Sequence, residues 1–295
     1  MSYAFYPGCA LSASALPYGM SFREVARALG MDIPELEDWN CCGATCFQTL
    51  DEVSAISLSG RNLALTERSG SQELVTPCSG CFAALEKANQ HLAHDSLLRT
   101  QAAAALSEAG LSYGGSVRVR HLLDVMVKDV GLDAIKEKVT QPLTGLKVAC
   151  YYGCLLTRPH AIARDAHPEY PVSMDRLMAV LGAEALDWSY KTQCCGASLA
   201  LARPDMVTRL TTRILDNARE VGADVVVAAC PLCQTNLDAY QGEHAVNGSQ
   251  ENKTIPIVYF TELMGLAFGL SPRALGFDKH FRDPAPALRS HSLVI

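Results

Sequence analysis

The sequence predicts an α/β fold made of two tandem pseudo-repeats, each a small parallel sheet flanked by helices. Three observations point there. Short β-like runs alternate with helical periodicity in both halves, the pattern of parallel sheets. A five-cysteine arrangement occurs twice at closely matching spacing. Each cysteine group follows a predicted strand, at the carboxyl end where such sheets gather ligands. A chain of 295 residues also exceeds one typical domain of about 100–150 residues, and a duplication accounts for the excess.

In the first half, Tyr3 to Tyr6 reads as a strand that ends at Pro7-Gly8-Cys9. Residues Pro17 to Leu29 carry a helical pattern through Phe22, Val25, Ala26 and Leu29, stopped by Gly30. Glu35 to Trp39 is the next candidate strand and leads into Cys41-Cys42-Gly43. Helical periodicity follows from about Ala44 to Arg68. Glu73 to Thr76 is strand-like and feeds Pro77-Cys78, after which Cys81 to His94 reads as a helix. Ala102 to Ala109 is helical, Val117 to Arg120 is a fourth strand, and a helix covers Leu122 to Val130.

The second half repeats this order. Lys147 to Tyr151 is a strand ending near Tyr152-Gly153-Cys154, which is matched to Tyr6-Pro7-Gly8-Cys9. Met174 to Leu181 is a helix and Glu184 to Trp188 a strand before Cys194-Cys195-Gly196. Asp205 to Val221 is an amphipathic helix. Asp224 to Ala229 is a continuous apolar strand of the buried parallel type. Ile255 to Phe260 is the last strand, and Tyr259 to Met264 resembles His121 to Met126. The expected domains are residues 1–142 and 143–270, with a linker near Thr140 to Gly145 and a tail over 271–295. The tail shows no periodicity and reads as a packed arm or a partner contact.

Ten of the 12 cysteines belong to the duplicated pattern. The first set is Cys9, Cys41, Cys42, Cys78 and Cys81; the second is Cys154, Cys194, Cys195, Cys230 and Cys233. The net charge of -6 argues against a general nucleic-acid binder. No apolar run approaches the ~20 residues of a membrane span, and the N-terminus shows no secretory signal. The expectation is therefore a cytoplasmic protein whose thiols stay reduced and bind metal. Thiolates favour zinc, copper(I) and iron–sulfur clusters. Structural zinc needs four ligands in a tetrahedron, so five thiols including an adjacent pair suit a polynuclear centre better. Nor is there the compact cysteine run of a ferredoxin-type cubane. Spacing thus favours an unusual iron–sulfur cluster over zinc.

These motifs resemble the CCG cysteine-rich domain found in the B-type subunit of heterodisulfide reductases. Tyr6-Pro7-Gly8-Cys9, both CCG elements, both Cys-x-x-Cys pairs and Leu275-Gly276-Phe277-Asp278-Lys279-His280-Phe281 carry the likeness, which covers nearly the whole chain. Related domains occur in iron–sulfur subunits of glycolate and lactate oxidases and in a cysteine-rich subunit of some succinate dehydrogenases. The resemblance implies that each five-cysteine set ligates one noncubane [4Fe–4S] cluster, with no separate catalytic side chain. It implies a disulfide cleaved between the two clusters, with electrons arriving singly. It also implies a ferredoxin-like iron–sulfur partner subunit and a flavoprotein beyond it. After the first cysteine the family pattern often includes a histidine and a lysine, where this chain has Ala10 to Tyr18 without either. That departure shifts the expected substrate from the methanogen-type heterodisulfide toward a carrier-bound sulfur species, used in the oxidative direction. The alternatives are a non-catalytic relay subunit of a hydroxy-acid oxidase, against which stands the lack of added ferredoxin motifs, and a zinc-stabilised assembly module, with zinc at one site.

Several residues have plainer readings. Cys46 shares a helix face with Cys42 but has Leu199 at its second-half counterpart, so it reads as a small buried hydrophobe, as does Cys150 within its strand. His121 reads as structural, and Pro231 as turn chemistry or a strand stop. Trp39 and Trp188 read as core anchors or cluster shields. Lys191 and Arg158 flank second-half cysteines, where they could attract an anionic substrate. No dinucleotide fingerprint or Walker motif is present.

Overall fold

The computed structural model describes residues 3–44, 47–241 and 254–291. In chain order the first half supplies β1 (Tyr3–Phe5), α1 (Leu16–Leu29), α2 (Phe47–Leu50), α3 (Glu52–Arg68), β2 (Glu73–Thr76), α4 (Ser79–His94), α5 (Ser96–Glu108), β3 (Arg118–His121) and α6 (Leu122–Val125). A π-helical turn over Met126–Gly131 leads to α7 (Leu132–Glu137). The second half supplies β4 (Lys147–Tyr151), α8 (Ser173–Val180), β5 (Glu184–Ala185), α9 (Pro204–Glu220), β6 (Val225–Ala228), α10 (Pro231–Ala239), β7 (Ile257–Tyr259) and α11 (Phe260–Ala267). The tail adds α12 (Pro272–Leu275) and α13 (Ala285–Arg289).

The α/β architecture and its duplication are present. One sheet has the order β1-β2-β3 and the other β5-β4-β6-β7, with every pairing parallel. The two orders correspond once the isolated parallel bridge Phe5↔Glu35 is set beside β5. This bridge replaces the strand expected over Glu35 to Trp39, and β5 is two residues rather than five. Both lie at a sheet edge and are largely exposed or half-buried, so little apolar burial extends the pairing. The helix expected from Ala44 to Arg68 is broken at Asp51, whose carboxylate accepts from Ser54 N at 3.1 Å and caps α3.

The chain forms two compact units by contact: Met1–Cys9 with Asp32–Val125, and Ala10–Met31 with Met126–Ile295. α1 therefore packs in the second unit, against α11 and α12. There Tyr18 stacks on Tyr259 with centroids 4.2 Å apart, and Ser21 Oγ lies 2.6 Å from Thr261 Oγ1. The tail is a packed arm. Leu275 and Leu288 are buried, and Gly276 (φ 87°) brings its backbone against Pro17, where a Cβ would sit 2.8 Å from Pro17 Cα. No helix among the described residues is long and apolar enough to cross a membrane.

The core of the first unit contains one ionic cluster. Arg120, 2% exposed, donates to Glu73 Oε2 at 3.0 Å and to Asp124 Oδ2 at 2.6 Å, so it holds β3 to β2 and to the start of α6. Removing one partner of such a cluster leaves buried charge uncompensated, at a cost of about 3–5 kcal/mol. Arg120→Ala is accordingly expected to lower the Tm by many degrees in a thermal melt; an unchanged Tm would contradict this assignment.

Candidate functional site

Each half presents its cysteines on three loops that leave the carboxyl ends of neighbouring parallel strands. β1 runs out through Tyr6-Pro7-Gly8 into Cys9, and β2 through Pro77 into Cys78. Cys78 is the N-cap of α4, its Sγ accepting from Cys81 N at 3.4 Å. In the second half β4 delivers Cys154, while Cys230 is the N-cap of α10 with Pro231 at the first helical position. The Cys-x-x-Cys pairs thus sit at helix N-termini, where unpaired N–H groups and the macrodipole favour thiolates.

The five predicted thiols of each half are brought together. In the first, Cys42 Sγ lies 3.4 Å from Cys81 Sγ, Cys41 bonds to Cys42, Cys81 bonds to Cys78, and Cys9 is close enough to act electrostatically on Cys41. In the second, Cys195 Sγ lies 3.5 Å from Cys233 Sγ, Cys154 bonds to Cys194, and Cys230 bonds to Cys233. None of the described cysteines forms a disulfide. Among the described residues no three Cys, His, Asp or Glu side chains close on one point as a single metal ion requires.

Two glycines shape these groups. Gly8 (φ 68°) and Gly153 (φ 69°) adopt the left-handed conformation that favours glycine. A Cβ at Gly8 would stand 2.9 Å from Cys81 Sγ, and one at Gly153 would stand 3.0 Å from Cys233 Sγ. Backbone and sulfur approach as closely as they do only because that atom is missing.

Hydrogen bonding polarises the thiols unequally. Bonds from the Cys41 and Cys81 side chains hold Cys42 well below the usual thiol range, with burial opposing them. Cys194 is pushed down to about 6, chiefly by the Cys154 side chain, with Gly196 N–H donating to its Sγ at 3.3 Å. Its donor Cys154 is raised by the same bond and by burial. Cys81 and Cys233 are raised through their bonds to Cys42 and Cys195 respectively. Cys150, fully buried in β4, is pushed up by burial and lies apart from both sulfur sets, in accord with its packing role. Cys46 lies outside the described residues.

Two tyrosines belong to the site although their role was not apparent from the sequence. Tyr6 OH donates to Asn40 O at 2.7 Å and Tyr151 OH donates to Gln193 O at 2.6 Å. Each clamps the carbonyl just before a Cys-Cys-Gly element. Burial, then the negative potential of the neighbouring thiols, pushes both phenols up, so they act as donors. The counterpart of Tyr6 is therefore Tyr151, not Tyr152; the available signal was the shared Tyr-x-Gly-Cys. Tyr152 instead donates to Asp175 Oδ2 at 2.6 Å. The second sulfur loop is also held by Asn236, whose amide donates to Cys195 O at 3.2 Å, and the first by Ser59 Oγ, which donates to Cys42 O at 2.7 Å.

The remaining candidates serve the fold. Lys191 is 3% exposed and donates to Asp175 Oδ1 at 2.6 Å, and Arg158 pairs with Glu169 at 2.9 Å. Lys191 is thus engaged inside the fold, whereas Arg158 pairs with its carboxylate at the surface. His121 is buried, and its Nδ1 accepts from Leu123 N at 3.2 Å. Trp188 is a core anchor whose Nε1 donates to Cys150 O at 3.0 Å, whereas Trp39 is half-buried and packs edge-on against Tyr6.

The cysteine-rich domain family CCG matches the chain twice, over residues 3–86 and 148–238. The chain is 34% identical over 281 residues to the 8-methylmenaquinol:fumarate reductase membrane anchor subunit of Wolinella succinogenes, covering 95% of this chain and 97% of that protein. It is 34% identical over 256 residues to the B-type subunit of the ferredoxin/F(420)H(2)-dependent CoB-CoM heterodisulfide reductase of Methanosarcina acetivorans, covering 85% and 84%. A protein of Archaeoglobus profundus described as like the B-type heterodisulfide reductase subunit is 29% identical, with 92% of each chain covered. A crystal structure of a hypothetical protein from Helicobacter pylori superposes with a TM-score of 0.74 over 95% of this chain at 14% identity, which is likeness of fold. This chain spans 51% of that one.

In the metal-free protein, iodoacetamide should alkylate Cys194 readily at pH 7, the rate falling as pH drops through about 6. Cys154 should react slowly throughout. Equal labelling of the two, followed by peptide mapping, would contradict the polarised pair.

Proposed function

The chain belongs to the CCG cysteine-rich domain family, of which it carries two copies, and from that premise we propose that it is an iron–sulfur oxidoreductase subunit in which each five-thiol set holds one noncubane [4Fe–4S] cluster. The observation that carries this is the gathering of five thiols at the carboxyl ends of the strands of each sheet, with a glycine backbone pressed against Cys81 in one set and Cys233 in the other. The donor set fits the group: each set offers five soft sulfurs, in excess of the four that zinc takes. Cys9, Cys41, Cys42, Cys78 and Cys81 would hold one cluster. Cys154, Cys194, Cys195, Cys230 and Cys233 would hold the other. When bound, such clusters supply one-electron redox steps and iron sites for sulfur ligands.

What the chain's own residues do follows from their placement. Helix N-termini at Cys78 and Cys230 stabilise thiolate charge. Tyr6 and Tyr151 fix the Cys-Cys-Gly backbone, and Gly8 and Gly153 let sulfur and main chain meet. The reaction in this reading is thiol–disulfide or sulfane-sulfur redox chemistry, in the oxidative direction expected from the Ala10 to Tyr18 departure. The partners are a ferredoxin-like subunit and a flavoprotein, with the protein on the cytoplasmic side.

One observation favours a second reading. The likeness to the Wolinella succinogenes fumarate reductase subunit extends over almost the full length of both chains, further than that to the methanogen subunit. With Lys191 and Arg158 each paired with a carboxylate, a neutral quinol is as well suited as an anionic disulfide. In that reading the chain passes electrons from a methylated menaquinol to a dicarboxylate reductase. Viologen-driven reduction of small disulfides, set against oxidation of a menaquinol analogue, separates the two.

Iron, acid-labile sulfide and zinc in protein purified without oxygen test the shared premise. About eight irons with matching sulfide are expected, four per set. Cys195→Ser should lose about half the iron, and Gly153→Ala likewise, because its Cβ displaces Cys233. Cys46→Ala should keep all of it. Zinc in place of iron, or full iron in Cys195→Ser, would contradict the assignment.

A further inference from the structure

Behind the second sulfur set lies a buried polar network that the cluster assignment does not use. α10 carries Cys233, then Gln234, then Asp238 one turn later. Asp238 is fully buried. Its Oδ2 accepts from Gln234 Nε2 at 3.3 Å and from the main-chain N–H groups of Phe281 at 3.1 Å and Arg282 at 3.4 Å. Its Oδ1 has no partner among the described residues. A buried carboxylate oxygen without a protein partner among the described residues is costly, since buried polar atoms are nearly always paired.

The charged groups around it are few. From the tail, His280 faces it, while Arg282 turns its guanidinium to the carbonyls of Asp238 and Gln241. His280 Nε2 lies 2.7 Å from Glu262 Oε1 of α11, and His280 Nδ1 lies 3.2 Å from Gln234 Nε2. Asp283 also acts on His280. From β7, Tyr259 OH donates to Gln234 Oε1 at 3.1 Å, and Tyr259 N donates to Glu262 Oε2 at 2.7 Å. A cavity of about 580 Å³, lined in part by His280, Phe281 and Asp283, opens beside this group and brings solvent to the layer covering Asp238. The first half has an acid at the same offset, Glu86 after Cys81, but Phe82 stands where Gln234 does, so this network has no copy there.

We propose that Asp238 is the residue that takes up a proton when one electron enters the second cysteine set. The proposal rests on the cluster reading above. The step balances: one electron arrives from an iron–sulfur donor, which is oxidised by one electron, and one proton is transferred from a solvent hydronium ion, whose O–H bond breaks as an O–H bond forms at Asp238 Oδ1 and water is left. Asp238 lies five residues past Cys233, about 7.5 Å along the helix axis. A unit negative charge added on the order of 10 Å away, at an effective dielectric near 20, raises proton affinity roughly tenfold. The carboxyl is already poised for this. Burial pushes it up, while His280 and the N–H groups of Arg282 and Phe281 pull the other way. His280 in turn is raised overall: burial opposes its charge, but Glu262, Asp238 and Asp283 outweigh that.

The test is a redox titration of the iron-loaded protein at several pH values between about 4 and 9, a span that starts at the ordinary carboxylate range and runs in the direction in which burial moves Asp238. The transition missing from Cys195→Ser belongs to the second set. Its midpoint should fall with rising pH over part of the range, by about half of the 59 mV per pH unit of full one-proton coupling, because a tenfold change separates the two proton affinities by about one pH unit. Asp238→Asn, of the same shape, should flatten that slope. His280→Gln removes the imidazole that holds Asp238 down and should move the sloping window to higher pH, a displacement that a merely structural role does not produce. A pH-independent midpoint in the wild type, or an unchanged slope in Asp238→Asn, overturns the proposal. Protein that binds no iron overturns the cluster reading beneath it, and does so before any titration is run.

Discussion

Gathering five thiols at one place requires three loops to leave the same edge of a sheet, and a parallel strand order supplies that edge. In both halves the strands deliver their loops side by side because every pairing is parallel. Antiparallel pairing would send alternate loops to opposite ends. The helices follow from this choice, since parallel strands need crossovers, and those crossovers place α4 and α10 with their N-termini at the cysteines. What remains is a contact problem at the scale of one methyl group, met by Gly8 and Gly153.

The duplication is close in topology and unequal in electrostatics. In the first half the lowered thiol is the second of the Cys-Cys pair, Cys42; in the second half it is the first, Cys194. The surroundings differ correspondingly. The first unit's buried charges include the Arg120 cluster that ties β3 to β2 and α6. The second unit's include the Lys191–Asp175 pair and the Asp238–Gln234–His280–Glu262 network, which begins on the helix that carries Cys233. The two similar sulfur sets therefore have different charged neighbours.

The cysteine-rich family was legible in the sequence because adjacent cysteines and their spacing are rare patterns, and the apolar strands Glu73 to Thr76 and Lys147 to Tyr151 stand where their composition placed them. The edge strands were over-read: Glu35 to Trp39 has strand-like residues but makes only one bridge, since nothing beyond Phe5 pairs with it. The tail gave no periodicity because its helices are four and five residues long, too short to express one. That α1 packs against α11 and α12 was not legible either: an amphipathic face says that a helix is buried, not against what. Lys191 looked like a surface cation because nothing local in sequence announces Asp175, sixteen residues earlier. Asp238 gave no signal at all, since its meaning comes from the tail folding over it.

Diffraction at the iron edge from crystals grown without oxygen tests the central claim most directly. Two separate anomalous peaks are predicted, each within bonding distance of its five sulfurs and each against its glycine, Gly8 or Gly153. A single peak, or peaks that leave Cys41 or Cys194 uncoordinated, would contradict the account.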